Sequence, residues 1–268
     1  MKAVIMPPDA PTLMWSTRAI GYTTPAAVAD LIDNSISANA SRIQIQFVSG
    51  EDSYISILDD GTGMGPDALR QAMKYGSGNP WRERSPSDLG RFGLGLKTAS
   101  LSQCRKLTVV SKQDSVISAY CWDLDHVIEA RSWELLELDE NDILTLPQIG
   151  ELQNQKEGTI VLWENLDKIF VGDENKEQGL LLKIKEIEEH LSLTFHRYLQ
   201  GEPGLKKLTI TSNGIPLKPT DPFFITRSDE MPSERISVHY INQNGEDAVE
   251  TVVVISVLFF FRSFQRFS

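Results

Sequence analysis

The chain has 268 residues, 41% hydrophobic and 24% charged, which is ordinary for a globular protein with a real core and excludes an intrinsically disordered segment. Its 26 Lys and Arg against 37 Asp and Glu give a formal net charge of −11, so the overall balance supplies no long-range attraction to nucleic acid or to an anionic membrane. Two cysteines, Cys104 and Cys121, with no CxxC and no metal-type spacing to a histidine, indicate neither a disulfide framework nor a zinc site.

The amino terminus has no charged stretch followed by an apolar core, so a cytoplasmic protein with free thiols is expected. In chain order, the first strong element is a helix. Thr24 is expected to cap it, Pro25 suits its first turn, and Ala26 to Ala38 carry it to an exit at Asn39. Val28, Leu31, Ile32, Ser35 and Ile36 fall on one side, with Asp30, Asp33, Asn34 and Ser37 opposite. Arg42 to Val48 and Tyr54 to Leu58 each alternate apolar and polar residues around the turn Ser49 to Asp52, which predicts a hairpin with one buried face. Pro66 and Asp67 open a second helix reaching about Lys74.

A long polar stretch with Gly76, Gly78, Pro80, Pro86 and Gly90 follows. It is too long for a mere connector and reads as a lid. A short helix is expected near Leu96 to Ser102, strands at Leu107 to Ser111, Val116 to Trp122 and Thr159 to Trp163, and a helix from about Glu177 to Leu199. His190 and His196 are six apart on that helix and so lie on different faces. Beyond Gly201 the texture turns to strands, at Leu208 to Thr211, Ile236 to Ile241 and Val249 to Phe260. The expected division is 1–200 and 201–268. The apolar run from Val252 to Phe261 is too short for a membrane span of about 20 residues, and the phenylalanine-rich ending points to a truncated second domain.

Three places carry chemistry. Asp30 and Asn34 are one helical turn apart, so a carboxylate and an amide project side by side; such a pair can position a water and hold Mg²⁺, and a solvated polar face is the plainer alternative. Asp59-Asp60-Gly61-Thr62-Gly63-Met64-Gly65 follows an apolar strand directly, which fixes a carboxylate at a strand end beside glycines that let a ligand approach the backbone. That carboxylate can accept from an exocyclic amine such as adenine's, while the Asp-Gly pair alone is equally a turn former. Gly90-Arg91-Phe92-Gly93-Leu94-Gly95-Leu96-Lys97-Thr98 sets three glycines ahead of a helix, where free N–H groups bind phosphate. It is not a Walker loop, because Leu96 separates Gly95 from Lys97, nor a dinucleotide fingerprint, because Gly93-Leu94-Gly95 is followed by Thr98 where the pattern needs its third glycine.

Taken in order, Ala29 to Ala38, Asp59 to Gly63, the lid, Gly90 to Lys97 and Gly158-Thr159 before a strand resemble the GHKL ATPases, the superfamily of gyrase B, histidine kinases, MutL and MORC proteins. In spelling the motifs are closest to prokaryotic MORC-like and MutL-like members. The resemblance covers roughly residues 15 to 200. It implies an α+β fold, a two-layer α/β sandwich of the Bergerat ATP-binding type with helices on one face of a mixed sheet, followed by the start of a strand-rich transducer-like domain. It also implies ATP and Mg²⁺ as ligands. Asp59 would take the adenine amine with Thr159 in support, and Asn34 would hold the metal. Gly61, Gly63, Met64 and Ser77 would line the site. Gly90, Phe92, Gly93, Leu94, Gly95, Leu96 and Lys97 would cradle the phosphates, and Asp30 would be the general base.

Most of that superfamily has Glu at the base position, so Asp30 reaches about 1.5 Å less, and Ser37 stands where many members carry a second Asp. The expectation is therefore an ATP-binding protein with slow hydrolysis driving lid closure and homodimer formation, with DNA as a partner by family analogy only and no membrane role. A non-catalytic nucleotide-binding module is the alternative. A histidine kinase is the third, and it lacks any histidine ahead of His126.

Overall fold

The computed structural model describes residues 6, 8–19, 21–75, 95–169 and 176–222, and beyond these the backbone of four strands between 229 and 258. Two compact units are present, 1–219 and 220–268. Along the first run α1 (Ala10–Arg18), α2 (Thr24–Ser37), β1 (Arg42–Val48), β2 (Tyr54–Asp59), α3 (Pro66–Met73), α4 (Gly95–Leu101), β3 (Lys106–Gln113), β4 (Val116–Asp123), α5 (Leu124–Ala130), β5 (Leu136–Glu137), α6 (Glu140–Leu144), α7 (Ile149–Asn154), β6 (Gly158–Glu164), α8 (Lys176–Thr194), α9 (His196–Gln200), β7 (Thr209–Ser212) and β8 (Ile215–Pro216).

The strands form one sheet in the order β5-β4-β3-β6-β2-β1-β7-β8. β1 and β7 pair in parallel, while β1 with β2, β2 with β6 and β6 with β3 pair antiparallel, so the sheet is mixed. The expected α+β architecture is therefore present. Its larger core lies where α1, α2, α3, α4, α5 and α8 meet one face, through Met14, Leu31, Ile32, Leu69, Leu101, Val127 and Ile187 against Ile43, Ile57, Val109 and Trp163. Burying such side chains is worth about 1.5–3 kcal/mol each. A smaller cluster on the alternate strand residues Leu58, Val110, Ile160 and Leu162 is covered by Ile143, Ile149 and Leu152 of α6 and α7. These two short helices are an addition that the sequence pattern did not suggest.

Three local details differ from expectation. Thr23, not Thr24, caps α2, its hydroxyl accepting from the Ala26 N–H; Thr24 turns inward and donates to Gln103. The long helix breaks at Phe195, which has left helical geometry and is buried. β7 and β8, beyond residue 200, complete the edge of the first unit's sheet, because β7 returns to pair beside β1.

The second unit, taken by itself, holds β9 (Asp229–Glu230), β10 (Glu234–Ile241), β11 (Asp247–Val254) and β12 (Val257–Leu258). β10 pairs antiparallel with β11, and β12 with β9. Among the described residues no helix is long and apolar enough to cross a membrane.

Candidate functional site

The site begins at the last residue of β2. Asp59 is 6% exposed, and its register partners are Ile43 on β1 and Thr159 on β6. A buried carboxylate is tolerable only with donors around it. Here Oδ1 accepts from the Gly61 N–H at 2.9 Å and Oδ2 from the Ser35 hydroxyl at 2.8 Å. Burial pushes the carboxyl above its ordinary range, and the hydrogen bonds from Gly61, Ser35 and Thr159 oppose that rise. A carboxylate has about four lone-pair sites, so these three donors leave it some acceptor capacity.

The Ser35 bond is what brings α2 to the strand end. Ser35 sits in the apolar stripe of α2, where the periodicity predicts packing alone; a hydroxyl in an otherwise aliphatic stripe is the one local signal of its bond. Asn34 is exposed beside it. One turn earlier Asp30 is half-buried, with its Oδ2 accepting from the Tyr22 hydroxyl at 2.8 Å. Burial, and after it the charge of Asp30, raises the Asp33 carboxyl. The other end of the row is α4, where a Cβ added to Gly95 would stand 4.0 Å from Asp30 Oδ2. Thr159, Asp59, Ser35, Asn34, Asp30 and Gly95 thus follow one another across the sheet, along α2 and onto the start of α4. Ser77, Gly90, Phe92, Gly93 and Leu94 lie outside the described residues.

The loop after Asp59 is held by contacts between backbones. Gly63 has φ +63°, and a Cβ there would meet the Lys112 carbonyl oxygen at 2.0 Å. Gly158, at φ +155°, leaves room for the Asp59 carbonyl, which a Cβ would meet at 2.3 Å. Ser111, which no motif of the sequence singles out, ties the parts together. Its Oγ accepts from the Met64 N–H at 2.8 Å, donates to the Gly158 carbonyl at 3.1 Å and lies 2.8 Å from Thr159 Oγ1. A serine within an apolar strand is again the only clue. Leu96 packs, half-buried, against the larger core.

Lys97 is placed differently from the expectation of a phosphate-facing ammonium. It is 1% exposed, and its Nζ donates to the Ala72 carbonyl at 2.5 Å, in the last turn of α3 where a helix dipole favours a cation. Burial pushes the ammonium down to about 8 from its ordinary 10.5. Since the folded value lies below the unfolded one, the fold carries the full cost below about pH 8. That cost fades as pH rises from about 8 to 10.5, the unfolded value. At roughly 1.4 kcal/mol per unit the cost near pH 7 is about 3 kcal/mol, before the hydrogen bond is counted. Lys97→Met is therefore expected to raise ligand-free stability by about 1–3 kcal/mol at pH 7, with the difference from wild type shrinking between about pH 8 and 10. Urea denaturation across that range checks it, and a constant difference would mean that the ammonium is not the source.

A cleft of about 790 Å³ lies elsewhere, lined by Arg18, Tyr22, Gln103, Lys183, Glu186 and His190 among others. Asp30, Asn34 and Asp59 do not line it, and Tyr22, bonded to Asp30, is the residue through which it adjoins the row just described. Among the described residues no cluster of His, Cys, Asp and Glu is arranged to hold a metal on side chains of those types alone. Asn34, with no such cluster beside it, fits a cation that takes most of its ligands from elsewhere, as Mg²⁺ on phosphates does.

Residues 22–159 match the family model described as "Histidine kinase-, DNA gyrase B-, and HSP90-like ATPase". The chain is 30% identical over 95 residues to the ATPase morc-1 of Caenorhabditis elegans, covering 35% of this chain and 11% of that protein. It is 32% identical over 92 residues to the DNA mismatch repair protein MutL of Dictyoglomus turgidum, covering 34% and 16%, and 35% identical over 89 residues to Protein MICRORCHIDIA 3 of Arabidopsis thaliana, covering 30% and 15%. The aligned part is thus under a fifth of each relative's length. The matched segment runs from Tyr22 to Thr159 and so contains the whole row from Asp30 to Thr159; the chain belongs to the histidine kinase, gyrase B and HSP90-like (GHKL) ATPase family.

Proposed function

We propose that the chain binds ATP with Mg²⁺ and hydrolyses it slowly. The observation that carries this reading is the Ser35–Asp59–Gly61 cluster: a buried carboxylate with spare acceptor capacity, bonded to the helix that bears Asn34 and Asp30. Asp59 accepts from the adenine amine, with Thr159 beside it. Asn34 holds Mg²⁺, which when bound neutralises phosphate charge. Backbone N–H groups of the Gly90 to Gly95 run hold the phosphates. Asp30 takes the proton of the attacking water, and its short side chain accounts for slow turnover.

Calorimetry with ATP tests this. Wild type is expected to bind about tenfold or more tightly with Mg²⁺ than without, and Asn34→Ala to lose that difference while keeping the metal-free affinity. Equal affinity of wild type with and without Mg²⁺ would sink the metal assignment.

The finer reading is that nucleotide closes the Gly76 to Gly90 lid and favours a homodimer, supported by the glycine and proline content of that stretch and by the family. Light scattering with a non-hydrolysable ATP analogue decides it. Participation in DNA handling is proposed from a relative named for DNA mismatch repair, and it would rest on local contacts, because the net charge is −11.

A further inference from the structure

Tyr22 stands eight residues before Asp30, outside α2, yet its hydroxyl donates to Asp30 Oδ2 at 2.8 Å. The segment that carries it is itself fastened. Gln103, 3% exposed at the exit of α4, donates from Nε2 to the Tyr22 carbonyl at 3.2 Å and to the Ser102 hydroxyl at 2.8 Å, and its Oε1 accepts from the Thr24 hydroxyl at 2.8 Å. Ser102 and Thr24 are buried as well. The amide of Gln103 therefore spends donor and acceptor on one task, tying the stretch before α2 to the end of the helix that begins at Gly95.

An aspartate has two rotatable side-chain bonds. At Asp30 the helix narrows the first but leaves the carboxyl rotation broad, and a free carboxylate samples orientations in which no lone pair faces the water. A phenol on Oδ2 removes most of that freedom and leaves Oδ1 for the water.

We propose that Tyr22 is a positioning residue, which orients the Asp30 carboxylate toward the attacking water and is itself held by Gln103. The assignment rests on Asp30 being the general base. Tyr22 stays a donor at neutral pH, since burial, then the hydrogen bond and charge of Asp30, raise its phenol above the ordinary value.

The test is ATP turnover by wild type, Tyr22→Phe, Asp30→Asn and the double variant, with ATP affinity and melting temperature measured alongside. Tyr22→Phe removes one oxygen and is expected to lower kcat about tenfold to a hundredfold, with KM and affinity within twofold. In the double variant the tyrosine change is expected to have no further effect, because its action passes through the carboxylate. A kcat within twofold of wild type, a rise in KM that accounts for the loss, or the same fold-loss in the Asp30→Asn background would each overturn the role of Tyr22 and leave Asp30 as base. Equal turnover by wild type and Asp30→Asn, including none by either, removes the base itself.

Discussion

Asp59→Asn is expected to weaken ATP binding by at least about a hundredfold, near 3 kcal/mol, without unfolding the protein. The orientation of the new amide is dictated by its neighbours. The Gly61 N–H can only donate, so the amide oxygen must take the Oδ1 position and the NH₂ group falls where Oδ2 was. Ser35 adapts, because its hydroxyl also lies 3.2 Å from the Leu31 carbonyl and can send its proton there while accepting from the amide. Adenine's amine cannot adapt; it meets a donor where it needs an acceptor. The same substitution removes a buried charge. Because the folded carboxyl is raised above its unfolded value, its stabilising contribution is present below the unfolded value, about pH 4, and lost as pH rises through the folded one. At pH 7 the ionised group is a cost, so the variant's melting temperature should equal or exceed that of wild type. Calorimetry and thermal denaturation on one preparation check both halves. Wild-type affinity would remove Asp59 from the base site, and a collapse in melting temperature would make it a structural residue.

What the sequence disclosed follows from the range of the interactions involved. α2 and the β1–β2 hairpin are legible, because 3.6- and 2-residue periods are local properties, and the family boxes are legible because short spacings survive in the chain. Ser35 facing Asp59 is a contact across 24 residues, and Ser111 facing Met64 one across 47. A hydroxyl on a buried face marks such a position without naming its partner. The parallel return of β7 beside β1 depends on a crossover through α8 and α9 that no local pattern encodes. Lys97 shows the opposite limit. Its place in a motif predicts a phosphate partner, whereas the side chain's own burial finds the end of α3. Met73, next in that turn, gives its carbonyl to the Trp122 indole, so helix termination and ligand recognition draw on neighbouring groups.

Gly63→Ala should be among the most damaging single changes in the chain, with an expected loss of at least about 3 kcal/mol. The left-handed backbone alone costs an alanine about 1 kcal/mol. The larger part is steric, since a methyl carbon 2.0 Å from the Lys112 oxygen and 2.9 Å from its carbonyl carbon must be relieved by moving backbone. β3 cannot yield, because Lys112 pairs with Ile117 of β4 on one side and Gly158 of β6 on the other. Its ammonium is also committed, donating to the Gln153 and Gln155 carbonyls at 2.6 Å each. The strain must then pass into the loop itself, toward Gly61 and the carboxylate it anchors, so stability and ATP affinity should fall together. Gly150→Ala is the control. It lies in α7 with open space around its Cβ, and alanine there is expected to be neutral or stabilising by up to about 1 kcal/mol. Urea denaturation of the two variants decides the matter: a Gly63→Ala protein within 1 kcal/mol of wild type would mean that the loop has another path past β3, and that the fixed position of Asp59 does not depend on this contact.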